Sequence, residues 1–192
     1  MEIRILMETE IPNAAGLSRY VFDTCLRNRM EFEQTIGFVE EYLNAEHLKQ
    51  MFLEEKLTLW GVFEEGQMVG VSGLQPDGMI TMLYVLPQYA NRGYGRGLLA
   101  AMRDHAKNVL GLSQVIANAT PAWTSSYFAN QGFAYDHRNM HAPFITMRAK
   151  AGTSTVYEKK HVPAKVIVGA ALGCLIFATV ACIAFLIWYA TL

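Results

Sequence analysis

The stretch Leu83-Tyr84-Val85-Leu86-Pro87-Gln88-Tyr89-Ala90-Asn91-Arg92-Gly93-Tyr94-Gly95-Arg96-Gly97 runs from an apolar strand-like segment, through a glycine-rich turn, into the start of a helix. Gly93, Gly95 and Gly97 carry no side chains to screen the main-chain amides. The first-turn N–H groups of the helix lack intrahelical acceptors and lie at the positive end of its dipole. A turn built this way receives anions and suits a pyrophosphate, and Arg92 and Arg96 add positive charge. It is not a P-loop, because no Gly-Lys-Ser/Thr closes it. Nor is it a dinucleotide fingerprint, which needs G-x-G-x-x-G and an acidic residue at a second strand. Glycine spacing alone also fits a plain turn before an ordinary helix.

Downstream, a helix is expected from Gly95 to Leu110, with Leu98, Met102, Ala106 and Val109 on one face. A strand follows at Gln114–Ala117, a short helix at Pro121–Asn130 ended by Gly132, and a last strand pair at Phe133–His137 and Phe144–Arg148. Upstream, Thr58–Phe63, Met68–Leu74 and Met79–Val85 are short β-rich runs separated by Glu-Glu-Gly and Gln-Pro-Asp-Gly, the turn chemistry of an antiparallel meander. Before them come a strand at Ile3–Met7 and helices at Pro12–Arg29, Glu33–Leu43 and Ala45–Lys56, the last capped by Asn44. The expected architecture is a single α/β (α+β) domain over residues 1–149.

Arg92, Gly95 and Gly97 match, in register, the Gln/Arg-x-x-Gly-x-Gly/Ala loop of the GNAT superfamily of N-acetyltransferases. Tyr127-Phe128-Ala129-Asn130-Gln131-Gly132-Phe133 is similar to a second block of that family, Phe-Tyr-x-x-x-Gly-Phe. The order of elements resembles the same fold: a mixed, mostly antiparallel sheet flanked by helices. The resemblance implies acetyl-CoA as co-substrate, with no metal. The amides of Arg92, Gly93, Tyr94, Gly95, Arg96 and Gly97 would hold its pyrophosphate, and the backbone of Leu83, Tyr84 and Val85 would pair with the pantetheine arm like an added strand.

Acetyl transfer to an amine needs a neutral nucleophile, stabilisation of an oxyanion and a proton for the departing thiolate. In much of the family the proton comes from a Tyr four positions before the Gly of Gly-Phe, which here is Phe128. Tyr127 is the candidate acid in its place, although one helical step turns a side chain by about 100°. A partly buried aromatic with no part in the chemistry is the other reading of Tyr127. Where relatives carry a Glu or His base in the fourth strand, this chain has Thr81. His141 is the candidate base, with His137, Asp136, Glu8 and Glu10 as further carboxylate and imidazole options. Trp60 and Trp123 are acceptor-pocket candidates, although a Trp in a strand, as Trp60 is, is more often core.

Composition divides the chain. All 16 Lys and Arg and all 17 Asp and Glu lie at or before Lys165, while Val166–Leu192 contains none of them and no His. Val166–Tyr189 would form a helix of about 36 Å, enough to cross a hydrocarbon core of about 30 Å. The expected organisation is therefore the domain, a basic linker at 150–163 and a transmembrane helix at 164–190. Lys159, Lys160, His161 and Lys165 before the span place the domain on the cytoplasmic side. Gly169 and Gly173 form a G-x-x-x-G step through which two spans could dimerise. A net charge of −1 argues against nucleic acid as a partner, and three cysteines in no ligand spacing argue against a metal or a disulfide framework.

The function expected from these features is a membrane-anchored N-acetyltransferase acting by direct transfer to an amine acceptor, which could be a small molecule, a lipid or a protein. Cys25, far from the cofactor strand, reads as core rather than as a nucleophile. The rival reading is a non-catalytic acyl-CoA-binding sensor or scaffold.

Overall fold

A computed structural model describes residues 1–30, 32–138 and 144–152. His141, the candidate span 164–190 with Gly169 and Gly173, and the basic linker beyond residue 152 lie outside the described residues. No helix among the described residues is long and apolar enough to cross a membrane.

Seven strands form one sheet in the order β1-β2-β3-β4-β5-β7-β6. The strands are β1 (Glu2–Ile5), β2 (Thr58–Glu64), β3 (Gln67–Leu74), β4 (Met79–Val85), β5 (Gln114–Ala119), β6 (Ala134–Tyr135) and β7 (Ile145–Lys150). The expected meander is β2-β3-β4, antiparallel throughout. Only β4 and β5 run parallel, joined by the crossover helix α4 (Tyr94–Asn108). The sheet is thus mixed and mostly antiparallel, as the sequence leads one to expect.

Two apolar layers sandwich it. On one face Leu98, Leu99, Met102 and Ala106 of α4 pack against Val62, Val69, Ile80 and Val115, with Phe133 and Met147 beside them. On the other, α1 (Ile11–Val21), α2 (Glu33–Tyr42) and α3 (Ala45–Leu53) cover Leu59, Val71 and Met82. Asn44 caps α3 as expected, accepting from the Glu46 and His47 amides at 2.9 and 3.2 Å. Val109, expected on the buried stripe of α4, lies past its last turn and is 67% exposed.

Three boundaries differ from the sequence reading. The helix expected over 12–29 is regular only to Val21, then widens into a π turn at Phe22–Leu26 and tightens into a 3-10 turn at Arg27–Arg29. β6 is two residues long, since Phe133 leaves the ladder to enter the core at 4% exposure. At the other end, β7 reaches Lys150, and the Ala151 and Gly152 amides still donate to Ser113 and Arg103 carbonyls at 2.9 and 2.7 Å. The described domain therefore extends past 149.

The β1 edge is locked by Glu10, whose carboxylate accepts from both terminal nitrogens of Arg4 at 2.8 and 2.7 Å and from the Met7 amide at 2.9 Å. These donors, Arg4 foremost and then the Met7 amide, hold its pKa down from the ordinary 4.5 to about 2. Between those values the unfolded chain binds the proton that the folded one refuses, so the stability from Glu10 is complete above pH 4.5 and is lost as pH falls toward 2. Thermal melts between pH 2 and 6 are expected to show a shallower acid slope in Glu10→Gln than in the unaltered protein, with a lower melting temperature at neutral pH.

Candidate active site

β4 and β5 pair at two positions only, Met79↔Ile116 and Ile80↔Ala117, and then part. One residue on, the β3–β4 register slips between Gly73↔Met82 and Leu74↔Ile80, which makes Thr81 a bulge. A bulge re-aims the strand. Ile80 belongs to the α4 face and Met82 to the α1 face, although simple alternation would put both on one side. Past it, the Leu86 amide donates to Val69 of β3 at 2.9 Å, so strand alternation turns the N–H and C=O groups of Leu83 and Val85 to the opposite edge, where β5 has departed. These two residues, expected to bind a cofactor arm, present an open strand edge. Tyr84, expected with them, has its main chain turned to β3 and its ring toward the α1 layer.

The open edge leads into the glycine turn. Asn91 (φ 61°) and Gly93 (φ 90°, ψ 0°) both adopt left-handed conformations, and Gly93 is the N-cap of α4 with no side-chain cap on its amides. Main-chain N–H groups arranged this way form an anion-binding nest. Asn91 was not among the residues singled out from the sequence; an Asn two before a Gly was the available signal.

The three glycines prove to be there for different reasons. Gly93 supplies the positive φ, and a side chain on it would meet nothing within 4 Å. A Cβ on Gly95 would lie 2.9 Å from the Tyr127 hydroxyl, and one on Gly97 would lie 2.6 Å from Ile3 Cδ1 of β1. Gly97 therefore carries a packing constraint from β1. Tyr94 is a core residue at 6% exposure, edge-on to Tyr89 at 6.0 Å, so only its backbone can serve the turn. Arg92 is exposed with its guanidinium 5.2 Å from the Tyr89 ring centre, and Arg96 is also exposed.

α5 (Ser125–Asn130) carries the two adjacent aromatics in opposite roles. Phe128 packs edge-on against Phe133 at 5.3 Å within the α4 layer. Tyr127 instead points at Gly95; its hydroxyl is buried and has no hydrogen-bond partner among the described residues. Burial raises its pKa to about 12, with the Arg96 charge opposing the shift. A hydroxyl left in this state costs about 1–3 kcal/mol.

The expected bases fare unequally. Glu10 is committed to Arg4 and, with a pKa near 2, is a poor proton acceptor. Glu8 is paired with Lys49 at 2.9 Å, and Asp136 with Arg148 at 2.5 Å. His137 is exposed and stacks on Tyr135. Thr81 Oγ1 is buried without a partner beside Gly73. Trp60 is a core residue at 4% exposure, packed edge-on against His105 at 5.1 Å, which corrects its candidacy for an acceptor pocket. Trp123 is 52% exposed, with the Arg29 guanidinium 5.7 Å from its ring centre.

An open parallel-strand junction feeding an uncapped helix N-terminus is what the comparisons with known proteins then bear upon. The family model described as an acetyltransferase (GNAT) domain matches residues 27–159, more than half of the chain. This chain belongs to the GNAT family. Solved structures with the same fold include a PaiA N-acetyltransferase from Thermoplasma acidophilum in complex with coenzyme A, at 16% identity and TM-score 0.60, covering 78% of this chain and 99% of that one. Another is a ribosomal-protein-alanine N-acetyltransferase from Brucella melitensis, at 20% identity and TM-score 0.57 over 78% and 99%. A third is the putative acetyltransferase yncA from Salmonella typhimurium with its cofactor acetyl-CoA, at 12% identity and TM-score 0.59 over 83% and 98%. No curated protein matches the sequence.

The glycine assignments in this GNAT domain are separable. Gly97→Ala is expected to leave melting temperature and donor affinity nearly unchanged, because Ile3 Cδ1 is a movable chain end and the helix gains up to about 1 kcal/mol from the exchange. Gly95→Glu is expected to abolish acetyl-CoA binding, as read by calorimetry, and also to lower the melting temperature, because its Cβ would stand 2.9 Å from the Tyr127 hydroxyl. Equal effects of the two changes on binding would refute the distinction.

Proposed function

We propose that this GNAT domain transfers an acetyl group from acetyl-CoA directly to an amine acceptor, and that the chain is tethered through residues 164–190 with the domain facing the cytoplasm. The observation that carries the reading is the continuous path from the open Leu83 and Val85 edge of β4 into the nest at Asn91–Gly93 and the uncapped first turn of α4. The residues fit the donor. Free strand edges take an extended amide-bearing chain, and the bare helix N-terminus takes phosphate. The solved relatives described with coenzyme A or acetyl-CoA support the same donor.

Acetyl-CoA supplies a thioester whose carbonyl carbon a neutral amine can attack, with a C–N bond formed, the C–S bond broken as thiolate leaves, and the proton lost by the amine nitrogen balancing the thiolate to give the amide and CoA thiol. The edge groups of Leu83 and Val85 align the donor, and the nest with Arg92 and Arg96 neutralises its phosphates. Phe128, at the family's acid position, offers no proton. A thiolate is stable enough to leave without a side-chain acid, since a thiol pKa of about 8.5 lies near neutral.

The hydrocarbon at position 128 also favours a second reading, a domain that binds acyl-CoA without turnover. Full-length protein in detergent micelles, titrated with acetyl-CoA and assayed for CoA release on small amines, lysine peptides and polyamines, separates the two. Amine-dependent release is the expected result. Binding without release on any amine would transfer the assignment to the sensor or scaffold, and no binding would reject both.

The tether rests on the charge-free run Val166–Leu192. The full chain is expected to stay with membranes through an alkaline carbonate wash and to leave them in detergent. Release by carbonate alone would overturn it.

A further inference from the structure

Asn118 is exposed on β5, an interior strand of the sheet, although Ala117 and Ala119 on either side of it are each 1% exposed. Those two alanines and Val115 belong to the α4 layer, so strand alternation puts Asn118 on the opposite face, which is open at this point. Its place in the register is specific. The last β4–β5 pair is Ile80↔Ala117, and the next positions are Thr81, the bulge, and Asn118, at the closed end of the gap between the strands. The carboxamide is held in one orientation: its Oδ1 accepts from the hydroxyl of Thr146, its cross-strand neighbour on β7, at 2.9 Å. Thr146 itself is 7% exposed. With the carbonyl end engaged, the open end of the amide is its NH2 group, which carries two N–H donors and has no partner among the described residues.

With phosphates at the nest and the pantetheine arm along Val85 and Leu83, the donor runs from the turn toward the closed end of the gap. The step from Val85 to Thr81 spans about 13 Å at roughly 3.3 Å per residue, and the thioester is the far end of the arm. An amide NH2 is neither acid nor base at neutral pH, so the role open to it is to donate to an oxygen. We propose that Asn118 is a catalytic residue whose side-chain N–H donates to the thioester carbonyl oxygen, and that Thr146 is its positioning residue. This rests on the acetyl-CoA reading of the same site. As the amine nitrogen bonds to the carbonyl carbon, the C=O electron pair moves onto oxygen, where the Asn118 N–H meets it. The pair returns as the C–S bond breaks, and the amine proton goes to the departing thiolate. Asn118 gains and loses no proton; it stabilises the charge that develops on oxygen. Thr146 keeps Oδ1 turned to β7 and so leaves the N–H groups for the gap.

The test loads the full chain in detergent micelles with acetyl-CoA labelled with heavy carbon at the thioester carbonyl, and reads the carbonyl stretch by isotope-edited infrared spectroscopy. The stretch is expected at lower frequency bound than free, and to move back toward the free value in Asn118→Ala and Thr146→Val, with Thr146→Ser restoring it. Asn118→Asp, which keeps the shape and removes the donors, is expected to behave as Asn118→Ala. Calorimetry with CoA, which has no acetyl group, is expected to give the same Kd for all of these proteins. On an amine that supports CoA release, kcat is expected to fall about a hundredfold in Asn118→Ala, the effect of losing one oxyanion donor, with KM for acetyl-CoA unchanged. An unaltered stretch or an unaltered kcat in Asn118→Ala would overturn the proposal. A raised Kd for CoA in that variant would also overturn it, since the asparagine would then shape the donor site rather than meet the acetyl oxygen. If the unaltered protein binds no CoA, or binds it and releases none on any amine, the transferase reading fails and the proposal with it, a result distinct from any difference between the variants.

Discussion

Past Ile80, the fourth strand has a hydrogen-bonding neighbour on one side only. Main-chain amides and carbonyls must find partners wherever water is excluded, so a strand that parts from its neighbour inside a sheet leaves a row of groups that solvent or a ligand has to satisfy. The separation is enforced from both ends. The Thr81 bulge rotates β4 as it leaves the ladder, while β5 continues paired to β7 from Gln114 through Ala119. Each strand keeps its outer partner, and the gap falls between them at the centre of the sheet. Since β4 runs straight into the turn before α4, the free edge and the free helix N-terminus become one continuous surface.

The turn shows how one sequence feature can answer to several physical demands. Gly93 meets a backbone demand, a positive φ that other residues adopt at a cost. Gly95 meets a demand from another element, the tyrosine hydroxyl above it. Gly97 meets a third, the approach of β1 through Ile3. Only the first is local. The same holds for α5, where neighbouring aromatics diverge because one faces the hydrophobic layer and the other faces the turn.

Much of the framework was legible from the chain because its signals are short-range. Alternating apolar residues and turns such as Gln-Pro-Asp-Gly marked the meander. The Leu98–Ala106 stripe marked the crossover helix, and Asn44 marked a cap that makes the expected bonds. The less legible features involve residues distant in sequence. Glu10 read as a candidate base until Arg4 and the Met7 amide were seen to occupy it. Trp60, a pocket candidate whose place in a strand already favoured core, packs under α4, and nothing near Arg29 in sequence announces a contact with Trp123.

The sequence by itself therefore determined which segments are strands and helices and where the glycine-rich turn lies, which follow from residue period, turn chemistry and backbone freedom, each set within a few residues. The family pattern is carried separately, by the resemblance of Arg92, Gly95 and Gly97 and of the Tyr127–Phe133 block to the family's motifs. Tertiary structure alone decided that β4 parts from β5 after two pairs, that Leu83 and Val85 rather than Tyr84 face the opening, and that the Tyr127 hydroxyl ends over Gly95. Those outcomes depend on register and on contacts between residues a dozen or more positions apart, and no local pattern encodes which edge of a strand will lose its neighbour.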